Sequence, residues 1–167
     1  NSPGIITING NYSQTTDGDL NIEIGGTTVG TQYDQLDVNG TVTLDGVLNV
    51  TLINSFVPTI GNTFTIIDND GTDAVSGMLF DGLAEGSTVT VGGSAFTISY
   101  VGGTGNDVVL TASAPVTTGV AISGNDLVLS DTGNDTNDTL TISTDGTNLT
   151  ISDPNNAFST AIAGATG

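Results

Sequence analysis

Apolar residues recur at every second position along most of the chain. Leu20, Ile22 and Ile24 set the pattern, and Leu36/Val38, Val42/Leu44, Leu48/Val50/Leu52 and Phe64/Ile66 continue it. It returns at Val89/Val91, Phe96/Ile98/Tyr100, Val108/Leu110, Val120/Ile122, Leu127/Leu129, Leu140/Ile142 and Leu149/Ile151. Short alternating runs bounded by Gly, Asn and Asp offer one face to a core and the other to water, which is the signature of half-buried strands. Thr and Val fill many of these positions, as β-branched residues do on a pleated surface. No stretch carries the spacing of a helix of useful length, so the chain reads as all-β.

The turns are as legible as the strands. Asn39-Gly40, Asp45-Gly46, Gly92-Gly93 and Asp145-Gly146 each separate two alternating runs. Such pairs supply the positive φ angles of two-residue hairpins and favour antiparallel neighbours. The runs from Gln35 to Ile53 are short, however, and short strands with Gly or Asn corners also describe the rungs of a β-solenoid. Two architectures therefore stand: a short-stranded, β-helix-like module followed by a smaller β module, or an antiparallel β-sandwich completed by strand pairing between subunits. No fixed period of the length typical of repeat arrays emerges. A boundary falls at "ASAPVTT", giving a module over residues 1–113, a linker at 114–118 and a second module over 119–167. The second module is too small to build a core alone and is expected to need a neighbour.

Charge narrows the functions available. The 167 residues include 18 Asp and Glu and no Lys, Arg or His, for a net charge of -18. No side-chain salt bridge can form, and nucleic acid is excluded as a partner because nothing can neutralise phosphate. An acidic surface attracts cations and is relieved by salt or divalent ions, which points to an extracellular or cell-surface setting. Cysteine is absent, ruling out disulfides, and no apolar run reaches the ~20 residues of a membrane span, so no membrane insertion is expected. Opening on "NSPG" and closing on "AGATG", the sequence reads as part of something longer.

Enzyme chemistry finds little to work with. Without His, Cys or Lys there is no triad, thiol nucleophile or Schiff base, and a paired-carboxylate glycosidase would lack Arg, Lys and Trp to hold sugar. Oxygen ligands for calcium are the candidate chemistry that remains. Residues 102–110, "GGTGNDVVL", match the calcium-binding nonapeptide G-G-x-G-x-D-x-U-x, with Asp107 as its carboxylate. Sites of that type need copies stacked in tandem, and only one full copy occurs, so a glycine-rich turn leading into a strand is the simpler reading. Two acidic clusters compete with it: Asp68, Asp70 and Asp73 in "DNDGTD", and Asp131, Asp135 and Asp138 in "DTGNDTND". Close spacing of carboxylates in a turn is how loops gather oxygens onto a hard cation; the alternative is an Asx turn solvated by water. Sequons at Asn11, Asn39, Asn49, Asn134, Asn137 and Asn148 would mark glycosylation sites on an exported chain, but in a sequence this rich in Asn and Thr chance explains most of them, and Asn39 and Asn49 sit in a turn and a strand.

The segment from Tyr33 to Gly77, with its core "GTVTLDGVLNV" at residues 40–50, resembles the autotransporter-associated β-strand repeats of large secreted bacterial surface proteins. The likeness extends over roughly residues 10–112 and implies a β-helix-type structural module with no catalytic residues. The expected function is thus a non-enzymatic subunit of an extracellular filament, stalk or matrix. Without Lys and with few Pro to protect exposed edges, self-association through strand edges into a homo-oligomer or polymer is the first partner expectation. The competing reading is a calcium-dependent adhesin or carbohydrate-binding module with glycan partners.

Overall fold

The computed structural model describes residues 2–114 throughout and, beyond them, residues 117–123, 126–132, 141–147, 149–152 and 157–158. The chain divides into two compact units, Asn1–Ser113 and Ala114–Gly167. The described residues form strands and turns with no helix, arranged in several sheets, none closed into a barrel.

In the first unit the chain makes three passes through short strands. The first pass contains β1 (Ile5–Ile8), β2 (Tyr12–Ser13) and β3 (Asp19–Ile24); the second contains β4 (Gln35–Val38), β5 (Val42–Leu44) and β6 (Val47–Leu52); the third begins with β7 (Thr63–Asn69) and β8 (Ser76–Gly77). Corresponding strands pair in parallel: Ile5 opposite Gln35, Tyr12 opposite Val42, Asp19 opposite Val47, Leu36 opposite Ile67 and Thr43 opposite Ser76. These separations of 28 to 33 residues are regular in space although no fixed period is visible in the sequence. Only the inward positions must stay apolar, and corners of unequal length blur the repeat.

The third pass ends differently. Strands β9 (Thr88–Val91), β10 (Ser94–Gly102) and β11 (Asp107–Ser113) form an antiparallel meander that joins the β1 sheet, in the order β1-β4-β7-β11-β10-β9. The four turn dipeptides accordingly split into two kinds. Gly92-Gly93 connects the antiparallel pair β9 and β10, as expected. Asn39-Gly40 and Asp45-Gly46 instead join strands of different sheets, so the hairpins expected there are corners. Each strand beside them already has its parallel partner on the previous pass, and the turn has only to redirect the chain. Gly46 is needed on two counts: φ is +68°, and a Cβ would stand 2.6 Å from the Thr15 carbonyl oxygen and run into that of Gly18.

Between the sheets lies a core containing Ile24, Val38, Val42, Leu44, Phe64, Ile66, Ile98 and Leu110, all fully buried. Phe64 is its hub, with edge-on ring contacts to Tyr33, Phe56 and Phe96 at centroid distances of 5.4, 6.2 and 5.9 Å. On the outside, polar side chains bond from pass to pass: Asn39 Nδ2 donates to Asn9 Oδ1 at 2.9 Å and Asn49 Nδ2 to Asn21 Oδ1 at 3.2 Å. Two of the sequon asparagines therefore spend their amides on the preceding pass of the chain. Gln14, 6% exposed, braces a corner by donating from Nε2 to the carbonyls of Gly18 and Val47 at 3.0 and 3.1 Å.

The second unit contains an antiparallel pair, β12 (Thr117–Ser123) with β13 (Asp126–Thr132), and a second one, β14 (Thr141–Thr144) with β15 (Leu149–Ser152). The short strand β16 (Ala157–Phe158) lies parallel to β12. Asp145-Gly146 makes the hairpin turn of β14 and β15, with Gly146 at φ +90° and Thr147 N donating to Asp145 Oδ1 at 2.8 Å.

Candidate functional site

Two segments singled out by sequence, "DNDGTD" and the nonapeptide, meet in space, and a bulge decides how. Along β7 the alternation breaks at Ile66 and Ile67, both fully buried. Opposite them the register of β11 slips, pairing Val108 with Ile67 but Val109 with Thr65. One extra residue in a strand exchanges the inward and outward faces beyond it. Continued alternation from Phe64 would have buried Asp68; the bulge turns Asp68 towards the outside and buries Asn69, which is 1% exposed. Asp68 thus belongs to β7 and not to the turn in which it was expected.

Residues 103–106 form the tight turn of the β10–β11 hairpin. Gly103 has φ +51°, and a Cβ there would collide with the Asp107 carboxylate, which folds back over the turn. Asp107, 3% exposed, accepts from Thr104 N at 2.9 Å and Thr104 Oγ1 at 3.3 Å through Oδ2, and from Asn69 N at 3.0 Å through Oδ1. This carboxylate satisfies buried backbone donors in two segments. Asn106, also 3% exposed, supplies the complementary half. Its Nδ2 lies 3.0 Å from Asn69 O, 3.1 Å from Asp73 O and 3.4 Å from Asp70 O. Carbonyl oxygens of an Asp-rich loop that converge in this way resemble a cation cage; here a side-chain amide donates into them.

Asn69 completes the lock by donating from Nδ2 to Asp73 O at 2.8 Å and, more weakly, to Asn106 O at 3.4 Å. Two buried oxygens of this cluster, Asn69 Oδ1 and Asp73 Oδ2, accept no hydrogen bond. Asn69 and Asn106 escape sequence reasoning because an uncharged amide beside carboxylates reads as turn filler; their position between apolar strands is the only signal. No group of three or more Asp or Glu side chains suited to a metal ion occurs among the described residues. Asp70 is exposed. Of the second cluster, Asp131 lies in β13, and Asp135 and Asp138 fall outside the described residues.

Electrostatics on the outer face follow from register. Asp37 and Asp68 are direct partners in the parallel pair of β4 and β7, and Thr7 Oγ1 donates to Asp37 Oδ2 at 3.1 Å. Partial burial pushes the Asp68 carboxyl above its ordinary range, and the charges of Asp107, Asp37 and Asp70 push in the same direction.

A second feature is an edge. Strand β1 terminates its sheet, and its sequence Ile5-Ile6-Thr7-Ile8 carries no charge or proline. Ile5 is 48% and Ile6 67% exposed. Beside it a cavity of about 290 Å³ is lined in part by Gly4, Ile6, Leu20, Ile22, Gln35 and Leu36. Strands β2 and β3 likewise end their sheets on the side of the first pass. No protein-family model, curated protein or solved structure matches the chain.

Proposed function

We propose that this chain is a non-enzymatic structural module of an extracellular filament, stalk or matrix, and that it associates with other chains through a strand edge. Its first unit is read as a short β-solenoid stack closed at one end by the β9–β11 meander and open at the other, along β1. The parallel pairings at nearly constant separation support the solenoid reading. They also agree with the resemblance of residues 10–112 to autotransporter-associated β-strand repeats.

The observation that carries the proposal is the unprotected β1 edge. Exposed edge strands normally carry Lys, Pro or bulges against pairing with other chains, and this one presents Ile5 and Ile6 to solvent. An incoming strand would pair with the β1 backbone and extend the sheet. With a net charge of -18, such association needs salt or divalent ions to screen repulsion over ~10 Å or less. The absence of His, Cys, Lys and Arg supports a mechanical function over catalysis, and the acidic surface suits a cation-rich exterior.

The test is size-exclusion chromatography with light scattering and negative-stain electron microscopy, comparing the wild type with Ile6→Lys. Oligomers or filaments that grow with protein and salt concentration, and are lost in Ile6→Lys, are expected. A wild type that stays monomeric at millimolar protein in high salt refutes edge association. If that monomer gained glycan affinity on adding calcium, it would be an adhesin; release of oligosaccharide from a polymer would make it an enzyme.

A further inference from the structure

The sheet that begins at β1 has a second end, and the strand there fits the first. The order β1-β4-β7-β11-β10-β9 leaves β9 as an edge. The meander covers the core on that side, but the outer side of β9 pairs with no strand. Near Gly92 it only approaches β6, where a Cβ would stand 3.7 Å from Leu52 Cδ1. Both edge strands are four residues long, Ile5-Ile6-Thr7-Ile8 and Thr88-Val89-Thr90-Val91, and neither carries a charge or a proline. Each lies in a stretch without Asp or Glu, residues 1–16 and 86–106. In a chain of net charge -18, two copies can thus bring these edges together with no carboxylate on either facing strand.

We infer that the strand pairing with β1 is β9 of a second copy, antiparallel, so that copies join head to tail through one continuous sheet. This rests on the edge association proposed above and names its partner. Direction agrees first. Strands β1, β4 and β7 run parallel and each pairing from β7 to β9 is antiparallel. Copies stacked in one orientation therefore meet as an antiparallel pair, the more stable kind. Side-chain faces agree next. Ile6 and Ile8 stand level with the buried Leu36 and Val38 and face inward, while Val89 and Val91 pack against the core from β9. Setting Thr7 opposite Thr90 brings Ile6 to Val91 and Ile8 to Val89. Ile6, 67% exposed where Leu36 beside it is 5% exposed, would then be covered as Leu36 is. The backbone supplies an independent match. Gln35 N donates to Gly4 O at 3.0 Å and Asn39 N to Ile8 O at 2.9 Å, so even-numbered residues of β1 address β4, and Ile5 and Thr7 address the free edge. On β9 the turn Gly92-Gly93 makes Val91 and Ser94 a hydrogen-bonded pair, and alternation turns the groups of Thr88 and Thr90 outward. In the register the side chains select, Thr7 and Thr90 thus meet with free N–H and C=O groups and exchange two hydrogen bonds. A contact between two different edges is heterologous, and it propagates into a filament unless the rotation between copies closes a ring.

Complementation between two blocked edges tests the pairing. Ile6→Lys sets a charge on the inward face of β1, and Thr90→Pro removes an outward N–H of β9 at a position where an edge strand accepts proline. The full chain as wild type, each variant and their equimolar mixture are compared by sedimentation velocity in the salt at which the wild type assembles. Each variant alone is expected to sediment as a monomer. The mixture, holding one intact β1 and one intact β9, should form a species of twice the monomer mass and nothing larger. The inference is overturned if Thr90→Pro assembles as the wild type does, which assigns β1 a partner other than β9, or if the mixture stays monomeric. A wild type that is monomeric in every salt overturns the edge association itself and this inference with it. Tyrosine near-UV circular dichroism checks that each variant is folded. Should Thr90→Pro fail that check, Thr90→Asp takes its place with the same expected outcomes, because it sets a carboxylate opposite the Thr7–Asp37 hydrogen bond of the next copy.

Discussion

Replacing Asn106 by Ala tests whether the polar lock between the β10–β11 hairpin and the turn after β7 holds the first unit together. The substitution removes two well-formed donations, to Asn69 O at 3.0 Å and Asp73 O at 3.1 Å, a weak one to Asp70 O at 3.4 Å, and the acceptor that Thr104 Oγ1 reaches at 2.8 Å. A lost intramolecular hydrogen bond costs about 0.5–1.5 kcal/mol net, and a buried partner left unpaired raises this towards 1–3 kcal/mol. Asn69 O loses its side-chain donor outright, whereas Asp73 O still accepts from Asn69 Nδ2 at 2.8 Å and Thr104 Oγ1 still reaches Asp107 Oδ2 at 3.3 Å, so the total amounts to about 2 kcal/mol. With an m-value of roughly 1.5 kcal/mol/M, the urea midpoint should fall by about 1.3 M. Tyrosine fluorescence isolates the relevant unit, because Tyr12, Tyr33 and Tyr100 all lie within residues 1–113. Asp70→Ala, at an exposed position of the same turn, serves as control and should cost less than about 0.5 kcal/mol. A loss below about 1 kcal/mol for Asn106→Ala at unchanged m would refute the reasoning, since the carbonyls would then have found water without penalty.

Three further outcomes follow from packing and charge. Gly46→Ala and Gly61→Ala both place a side chain at positive φ, but a Cβ at Gly61 meets nothing within 4 Å; urea titration should show about 1 kcal/mol lost at Gly61 and at least ~2 kcal/mol more at Gly46. Alkali should unfold the first unit, because burial, reinforced by the negative charge of Glu85, pushes the Tyr100 hydroxyl up to about 12. A group whose pKa is raised by folding contributes stability that is complete below its unfolded value, near 10, and lost as pH rises towards 12. Allowing for water at the phenol end, on the order of 1–2 kcal/mol should disappear across that window, and burial raises Tyr12 and Tyr33 in the same direction. Asp68→Asn should raise the urea midpoint at pH 7 and leave it little changed at pH 3. The raised carboxyl favours the native state most when protonated, so its ionised form is a debit at neutral pH, and a variant less stable than wild type at pH 7 would contradict this.

Strand content was legible because it rests on a local rule. Apolar side chains must alternate for a strand to bury one face, and β3 to β7, β9 to β11 and β12 to β15 nearly all carry that mark. Strand β1 lacks it, since Ile5, Ile6 and Ile8 form an edge with two residues in solvent. The Asx-Gly and Gly-Gly pairs announced where the chain turns without saying what the turn joins. Asn39-Gly40 and Gly92-Gly93 look alike in sequence, yet the first is a corner and the second a hairpin.

The site separates local from tertiary information more sharply. Sequence alone established a chain with no basic residue, hence no ion pair between side chains, and it marked both "DNDGTD" and "GGTGNDVVL" as oxygen-rich turns. It determined the β class, the places where the strands break and the negative surface, because each of these depends on residue type within a few positions. Tertiary structure decided that the two turns meet and that the β7 bulge at Ile66 buries Asn69 in place of Asp68. It also placed the amide of Asn106 among the loop carbonyls. A single-residue slip leaves no trace in composition and almost none in periodicity, yet it exchanges the two faces of a strand. Which oxygens are sheltered from water is therefore a property of register, and register is fixed by partners lying 28 to 48 residues away.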